Sequence, residues 1–203
     1  MRCFAFSGSK GGVGASTCAV IAARQAADAG HRVLLVDSSR HGDVFAICNV
    51  SRPFGDVSEV DAVNVYDSGS GSVWVGRDDD RGRGDWVARA AGRFDVVIGD
   101  GPAAVECVDH GAGGVSVLVV RPDYLSLKAA TECHHDVSVV VDGPAGALTV
   151  RDVVSVLSSV AGVVRFDVAV ARAVDAGLLL SHRAAAGVVG DLWAAVSAQV
   201  VAS

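Results

Sequence analysis

The stretch Ser9-Lys10-Gly11-Gly12-Val13-Gly14-Ala15-Ser16-Thr17 decides the fold of this chain. It follows a short apolar run at residues 3–6 and precedes an alanine-rich segment that ends at a glycine, Gly30. A strand, a glycine-rich loop and a helix in this order form a phosphate-binding loop, because the N–H groups and the dipole of the helix N-terminus favour bound phosphate. We therefore predict that residues 9–17 bind a nucleotide.

The loop departs from the general pattern G-x-x-x-x-G-K-[ST] at two positions. Gly14 and Ser16 fit it, but Ser9 stands at the first glycine, and Ala15 stands at the lysine that would reach the β- and γ-phosphates. Another lysine, Lys10, lies five residues before Ala15. The loop thus keeps an ammonium group, but not at the position that serves its own phosphates.

Composition limits the class of protein. A chain of 203 residues is long enough for one domain with a substantial core, and we predict a single domain over residues 1–203. Although 51% of the residues are hydrophobic, no run approaches the roughly 18 uninterrupted apolar residues of a membrane span. The first strand leads into the loop and not out of a signal peptide, so we expect a cytoplasmic protein.

The five cysteines are scattered and form no C-x-x-C pair. Reduced and mostly buried thiols are therefore expected. A metal site assembled from Cys107 and His110, or from Cys133-His134-His135, would fit no standard zinc spacing.

Short, β-branched apolar runs predict parallel strands that are buried on both faces. They lie at residues 3–6, 33–36, 63–66, 73–75, 96–98, 115–120, 137–141 and 163–165, with helical patterns at 16–29, 85–92 (Asp85 as N-cap), 125–134 and 150–158. The alternation predicts an α/β fold, a doubly wound and mostly parallel sheet flanked by helices. Ligands of such sheets bind beyond the carboxyl ends of the strands, where the phosphate loop lies.

Two predicted strands end in an aspartate. Asp37 stands at the tip of strand 33–36, and Asp100 follows strand 96–98 before a Gly-Pro turn. Carboxylates at these positions are placed to meet Mg²⁺ or a Mg²⁺-bound water over the phosphates, as in a Walker B motif. We therefore predict a metal site of Ser16, Asp37 and Asp100, with Thr17 facing the α-phosphate.

Several motifs together resemble the ParA/MinD superfamily. Residues 10–17 match its deviant Walker A motif, K-G-G-V-G-x-[ST]-T, and the segments ending at Asp37 and Asp100 resemble its V-L-L-[IV]-D-x-D and [YF]-D-x-[IV]-[IV]-x-D-x-P motifs. Ser39 stands at the second aspartate of the former motif. The segments Gly42-Asp43-Val44 and R-P-D-Y-L-S-L at 121–127 are closest to the CpaE/TadZ branch of pilus-assembly and localisation proteins.

The resemblance implies an ATP/ADP- and Mg²⁺-dependent switch. In that family the early lysine reaches the partner's nucleotide across a dimer, so Lys10 takes this role here and, with Asp37, the catalytic one. Asp142 stands at about the place of an adenine-contacting asparagine, where an aspartate would favour guanine unless the register differs. Segment 166–177 would enclose the base. The implied nucleotide-binding residues are Ser9, Lys10, Gly11, Gly12, Val13, Gly14, Ala15, Ser16, Thr17, Asp142 and Asp167.

The departures from the family pattern imply slow or absent hydrolysis. Ala15 removes a cation from the γ-phosphate, and Ser39 removes the carboxylate that would orient the attacking water. Lys10 of the partner, or Lys128, would compensate in part. The resemblance therefore implies an ATP-bound homodimer that acts in DNA segregation or in positioning cellular machinery, with weak hydrolysis. The alternative is a catalytically impaired CpaE/TadZ-like scaffold for pilus assembly or septum placement.

Partners follow from the same resemblance: a ParB-like adaptor, or a secretion or pilus component, with a nucleoid-associated or polar location. The net charge of −6 excludes a uniformly basic DNA-binding surface but allows a local arginine patch. A membrane partner is not expected, because the apolar stripe of tail 188–201 lacks basic residues and should pack on the domain. The candidate arginines, for which simple solvation is the alternative, are Arg151, Arg165, Arg172 and Arg183.

Overall fold

The computed structural model describes residues 1–39, 41–51, 62–77, 85–108, 113–144, 147–181 and 190–201. Its centre is an eight-stranded sheet with the strand order β3-β4-β2-β5-β1-β6-β7-β8. The strands are β1 (Arg2–Gly8), β2 (Arg32–Asp37), β3 (Val63–Asp67), β4 (Ser72–Arg77), β5 (Val96–Asp100), β6 (Val115–Val120), β7 (Val137–Asp142) and β8 (Val160–Arg165).

The sheet confirms the doubly wound, mostly parallel fold. Every neighbouring pair of strands is parallel except β3 and β4, which pair antiparallel at one edge. Each predicted strand lies within an observed one. The largest difference is at β8, which begins at Val160: Ala161 and Gly162 interrupt the β-branched pattern, but Val160 and Gly162 still pair with β7 across a register shift at Ala161.

All four predicted helices are present, and four more are observed. The predicted helix at 85–92 begins at Asp85 itself, so the expected N-cap residue is the first helical residue instead. The helices are α1 (Ala15–Asp28), α2 (Asp43–Ile47), α3 (Asp85–Ala90), α4 (Pro102–Cys107), α5 (Tyr124–Glu132), α6 (Val150–Val156), α7 (Val168–Asp175) and α8 (Leu192–Ser197), and a 3₁₀ turn follows at Ala198–Val201.

Side chains of β1 show how both faces of the sheet are buried. Phe4 and Phe6 pack on one face with α1, whereas Cys3 and Ala5 pack on the other face with Ala104 of α4. This alternation follows from the two-residue period of a strand. Because both sets are apolar, β1 lies inside the molecule and brings the phosphate loop to the middle of the sheet edge.

The C-terminal helix α8 packs against α1 and β8, as predicted for the tail. The Trp193 ring meets the Phe4 ring edge-on at 5.2 Å between centroids. Gln25 of α1 accepts a hydrogen bond from the Trp193 N–H at 3.0 Å and donates one to the Gly190 carbonyl at 2.7 Å. Among the described helices, none is both long enough and apolar enough to cross a bilayer.

Candidate functional site

The three motifs found in the sequence meet at one edge of the sheet. β1 lies next to β5 and β5 next to β2, with Phe6 opposite Asp100 and Asp100 opposite Asp37. The carboxyl ends of these parallel strands therefore place the phosphate loop and both aspartates side by side. This edge contains the point where the chain turns from one half of the sheet to the other, the usual ligand site of such folds.

Glycines set the path of the phosphate loop. Gly12 and Gly14 have φ angles of 76° and 98°, which side chains rarely tolerate, and Gly14 leads directly into α1. At Gly8 a Cβ atom would lie 2.7 Å from Cγ2 of Val13 and 2.9 Å from the Lys10 carbonyl oxygen. Gly8, the residue before Ser9, thus meets the requirement for a small residue at the start of the loop, a role that the sequence pattern does not assign to it.

A cavity of about 590 Å³ opens over the loop. It is lined by Lys10, Gly11, Gly12, Val13, Gly14, Ala15, Ser16 and Thr17, and by Ser39, Asp43 and Asp100 from the neighbouring loops. The structure therefore brings most of the predicted phosphate- and metal-binding residues together. We name this space the phosphate cavity.

Lys10 is the single lysine or arginine among the described residues that line the phosphate cavity. Its Nζ donates a hydrogen bond to Oδ1 of Asp123 at 2.9 Å, and both side chains are 37% exposed. Partial burial opposes ionisation of Asp123, but the bonds from Lys10 and from the Ser126 N–H outweigh it and hold the pKa of Asp123 below its ordinary value. Lys10 would have to leave Asp123 to reach a partner's phosphates.

Ser9 connects the start of the phosphate loop to the segment after β6 that also contains Asp123. Its hydroxyl lies 2.6 Å from Oγ of Ser126, a fully buried residue of α5. The Ser126 hydroxyl also accepts a hydrogen bond from the Arg121 N–H at 2.9 Å. The turn between β6 and α5 thus fixes the start of the phosphate loop, although it follows the loop by more than a hundred residues.

Asp100 has the features of a metal ligand. Its Oδ2 is buried without a hydrogen-bond partner among the described residues, and the Ser16 hydroxyl is the polar neighbour that favours its ionised form. Burial is the main cause that raises the pKa of Asp100 to about 7; the charges of Asp37 and Asp43 add to it, and the Ser16 hydroxyl opposes it. A carboxylate and a hydroxyl side chain that line a phosphate cavity fit Mg²⁺. A protein usually holds this ion with one or two side chains, and substrate phosphates supply further ligands.

Asp37 has both carboxylate oxygens occupied. Oδ1 accepts hydrogen bonds from the N–H and the hydroxyl of Ser39 at 2.9 and 2.6 Å, and Oδ2 accepts one from the Val44 N–H at 3.1 Å. The Ser39 hydroxyl in turn accepts from the N–H groups of Gly42 and Asp43, at 2.9 and 3.3 Å. We call residues 37–39 and 41–44 the β2–α2 turn. A metal or catalytic role of Asp37 stays a prediction, and it would require one of these bonds to open.

A second space, of about 210 Å³, lies on the other side of the loop. Gly14 and Thr17 line it together with apolar residues of α1 and the ends of β7 and β8, such as Ile21, Val141 and Phe166. Its mostly apolar walls next to a phosphate loop suit a nucleoside, and we name it the nucleoside cleft. Charged residues that line it are Arg121, Arg165, Asp167 and Asp175.

The two aspartates predicted at the base pocket differ in position. Asp167 lines the nucleoside cleft, and its Oδ1 accepts a hydrogen bond from the Ala169 N–H at 2.5 Å at the start of α7. Asp142 is not among the residues that line the cleft. Because Val141 faces the cleft, strand alternation directs the next side chain away from it. The structure therefore does not bring Asp142 together with the other predicted residues.

Of the other residues singled out in the sequence, Arg151, Arg172 and Lys128 line neither space, and Cys18 lines the nucleoside cleft. Arg151 is exposed on α6 and Arg172 on α7, whereas Arg183 and His110 lie outside the described residues. Lys128 lies on α5, 4.0 Å from Glu132 across one helical turn. Of the cysteines whose side chains the structure describes, none forms a disulfide: Cys3 and Cys18 are buried, Cys48 is half-buried and Cys133 is exposed.

Neither comparison of the sequence gives a relative. No protein-family model matches the chain, and a sequence search of curated proteins finds no match.

Comparison of the structure gives several similar proteins. A chain of the MinC:MinD cell division protein complex of Aquifex aeolicus is 17% identical, covering 98% of this chain and 96% of that one, with a TM-score of 0.74. The septum site-determining protein MinD of Pyrococcus horikoshii, complexed with Mg-ADP, is 14% identical over 100% and 97% of the two chains, with a TM-score of 0.72. A ParA family ATPase from Chlorobium tepidum is 16% identical over 98% of both chains, with a TM-score of 0.62.

At these identities the likeness shows the fold. The chain has the ParA/MinD-like fold of a P-loop NTPase, as its motifs predict. Four residues of the site, Asp43, Arg121, Asp123 and Ser126, have no role in the sequence prediction, although the segments that contain them resemble family motifs.

Proposed function

We propose that this chain, which has the ParA/MinD-like fold, is a nucleotide-dependent switch of the ParA/MinD type that acts in partition or in positioning of cellular machinery. The observation that carries the proposal is the phosphate cavity at the switch point of the sheet, which Ser16 and Asp100 line; the buried Oδ2 of Asp100 has no hydrogen-bond partner among the described residues. The Mg-ADP in the similar P. horikoshii protein supports ATP/ADP and Mg²⁺ as the ligands.

Each part of the site has a task in this proposal. The N–H groups of the loop and of the first turn of α1 hold the phosphates, and the nucleoside cleft encloses the sugar and base. Ser16 and Asp100 would hold Mg²⁺, with Asp37 behind them as the expected third metal-site residue. Bound Mg²⁺ supplies charge neutralisation at the phosphates. Because burial raises the pKa of Asp100 to about 7, Mg²⁺ binding would have to displace the proton that this carboxyl holds below that pH.

Dimerisation would use Lys10. The Lys10 side chain lies at the phosphate cavity, held by an exposed pair with Asp123 that contributes little to stability, so exchange of that partner for phosphate costs little. An ammonium bound to a partner's phosphates is a charge-assisted contact that exists in the dimer alone. The switch then depends on the different affinities of the monomer and the dimer for the nucleotide.

Hydrolysis is expected to be slow. Ala15 lines the phosphate cavity without a charge. Ser39 stands at the position of the water-orienting aspartate. Its hydroxyl donates a hydrogen bond to Asp37 and accepts hydrogen bonds from the N–H groups of Gly42 and Asp43, so these hydrogen bonds all lie within the β2–α2 turn. Long-lived ATP-bound dimers, released by a partner or by exchange, follow from these two substitutions.

The same two residues favour a second candidate, a catalytically impaired CpaE/TadZ-like scaffold. In that case the β2–α2 turn would keep its present form whether or not nucleotide is bound, held by the hydrogen bonds among Asp37, Ser39 and the backbone N–H groups of the turn. The two candidates differ in one measurable property: the switch dimerises upon binding ATP, and the scaffold does not respond to it.

Partners of the proposed switch are a second copy of the chain and a protein adaptor. The MinC:MinD complex supports a protein partner for this fold. DNA contact through Arg151, Arg165 and Arg172 remains part of the proposal, since all three are exposed, as do a single-domain chain and a cytoplasmic, nucleoid-associated or polar location. An increase of dimer binding to DNA of random sequence at low salt would support the DNA contact.

Calorimetric titration with ATP and ADP tests the proposal, each with and without Mg²⁺. We expect saturable binding of both nucleotides that is stronger with Mg²⁺. Replacement of Ser16 by alanine removes one proposed metal ligand and should reduce the Mg²⁺-dependent gain; Ser155→Ala, on the exposed face of α6, serves as the control. Absence of binding at millimolar nucleotide would rule out the switch and favour the scaffold.

A further inference from the structure

The phosphate loop alone does not supply enough positive charge, among the described residues, to balance a bound triphosphate. A bound triphosphate brings several negative charges next to Asp43 and Asp100, and Ala15 provides no cation. Lys10 is paired with Asp123, and Lys128 lies on the outer side of α5 near Glu132 and lines neither space. A cation from elsewhere in the same subunit would complete the phosphate site.

Arg121 is placed to be that cation. It follows β6 directly, next to the phosphate loop, and its side chain lines the nucleoside cleft together with Gly12, Gly14 and Thr17. The side chain is half-buried, and its guanidinium makes no hydrogen bond or ion pair with any described residue. The charge of Arg121 acts on Asp123, the partner of Lys10: it helps to lower the pKa of Asp123, although less than the hydrogen bonds from Lys10 and from the Ser126 N–H.

Gly143 keeps the guanidinium in place. If residue 143 carried a Cβ atom, that atom would overlap Nη2 of Arg121 and lie 3.3 Å from its Cζ. The absence of a side chain just after β7 therefore forms a seat for the planar group. Because the guanidinium has five N–H donors and stays charged at all relevant pH values, such a seat presents a fixed cation to a phosphate oxygen.

We propose that Arg121 supplies, within its own subunit, the phosphate-binding cation that Ala15 does not. This inference rests on the proposed nucleotide-binding function and deepens it. The guanidinium binds the nucleotide from the cleft side of the loop, whereas a lysine at residue 15 would bind from within the loop. Lys10 then remains available for the partner subunit.

Calorimetry with Mg-ADP, and with pyrophosphate in competition with Mg-ADP, tests the inference on three variants. Arg121→Gln should weaken both ligands by about 10- to 100-fold, the loss of a hydrogen bond to a charged group. Gly143→Ala keeps the charge but displaces the guanidinium, so it should weaken both ligands in the same direction with an unchanged melting temperature. Arg89→Gln removes an exposed arginine of α3 that lines neither space and should change affinity less than about 2-fold.

The outcomes separate the two proposals. If the wild-type protein binds Mg-ADP and Arg121→Gln binds it equally well, the role of Arg121 is wrong and the switch still stands. If Arg121→Gln weakens Mg-ADP but not pyrophosphate, the guanidinium contacts the nucleoside, and the inference is also wrong. If the wild-type protein binds neither ligand, both proposals fail.

Discussion

The phosphate loop and the β2–α2 turn lie side by side at the same sheet edge but use their polar groups in different ways. The loop and the end of β5 beside it bring Ser16 and Asp100 to the wall of the cavity, and Oδ2 of Asp100 has no hydrogen-bond partner among the described residues. In the turn, the side chains of Asp37 and Ser39 bond to each other and to backbone N–H groups. The first region presents polar groups at the cavity, whereas in the second Asp37 and Ser39 already bind each other and the backbone of the turn.

The contrast explains how a site can keep nucleotide binding while it loses hydrolysis. Binding depends on the loop N–H groups and the helix dipole, which require glycines and not the lysine. Hydrolysis depends in addition on a carboxylate placed to orient water, and in the β2–α2 turn Ser39 occupies that position as a structural group. At residue 15 a cation is missing and the alanine side chain in its place has no polar atoms, whereas at residue 39 a carboxylate is missing and the serine in its place holds the turn together.

The largest effect is expected from Asp37→Ala, which removes the acceptor at the centre of the β2–α2 turn. The N–H groups of Ser39 and Val44 and one hydroxyl would lose a buried partner, so we expect a loss of about 3 kcal/mol in the free energy of unfolding in urea. Ser9→Ala, in the phosphate loop, loses a single hydroxyl contact and should cost about 1 kcal/mol. Equal costs for the two variants would contradict the contrast between the regions.

The second-largest expected effect is an increase in the rate of ATP hydrolysis. Ala15→Lys adds a cation where Ala15 already lines the phosphate cavity, so we expect turnover of ATP to rise by about 100-fold over the wild-type rate. Adding Ser39→Asp in the same chain should raise turnover further, but with a loss of stability, because a second carboxylate would face Asp37 where the serine hydroxyl now donates. A phosphate-release assay and urea unfolding of both variants give the comparison. Wild-type turnover as fast as that of Ala15→Lys would show that these residues are not the limiting ones.

A smaller effect concerns pH and the free protein. The folded-state pKa of Asp100, about 7, is above its ordinary value of 3.8, so the folded chain holds a proton that the unfolded chain releases between these pH values. The stabilising effect of this proton is complete below pH 3.8 and is lost as pH rises through about 7, with a slope of at most about 1.4 kcal/mol per pH unit.

Urea unfolding of the wild-type protein and of Asp100→Asn, at several pH values without nucleotide or metal, measures this effect. The asparagine does not titrate, so the difference in stability between the two proteins should grow from pH 4 to pH 7 in favour of Asp100→Asn. A constant difference would show that Asp100 is ionised throughout this range.

The smallest effect is expected from Asp123→Asn, which removes the charge that pairs with Lys10. The pair is exposed, and its loss should change stability by less than about 1 kcal/mol. The freed Lys10 should nevertheless strengthen ATP-dependent dimerisation, because it no longer has to leave a carboxylate. Sedimentation at several protein concentrations gives the dimer affinity. Weaker dimerisation of Asp123→Asn would indicate that Asp123 orients Lys10 for the partner instead of competing with it.

Local sequence signals were sufficient for the sheet and for the phosphate loop. Buried parallel strands are continuous apolar runs, and each of them can be identified without knowing its neighbours. The five-residue α2 and the six-residue α4 are too short for a helical period, and α7 was assigned only as a segment around the base. Tertiary packing, not local pattern, makes these three segments helical.

Sequence motifs indicated which residues lie together at the sheet edge: Lys10, Ser16 and Asp100 all line the phosphate cavity. Their roles in binding nucleotide and metal stay predictions. The contacts of Asp123 and Arg121 were not predictable, because each depends on a distant segment, the loop at Lys10 in one case and the glycine at 143 in the other. For the same reason the sequence could not show that Asp142 and Asp167 differ in position at the cleft.

The most direct test of the account is sedimentation velocity of the wild-type protein and of Lys10→Ala, each with Mg-ATP and with Mg-ADP. We predict that the wild-type protein is a dimer with Mg-ATP and a monomer with Mg-ADP, and that Lys10→Ala binds both nucleotides but stays a monomer. A Lys10→Ala protein that dimerises with Mg-ATP as the wild type does, or a wild-type protein whose sedimentation ignores the nucleotide, would contradict the nucleotide-controlled switch.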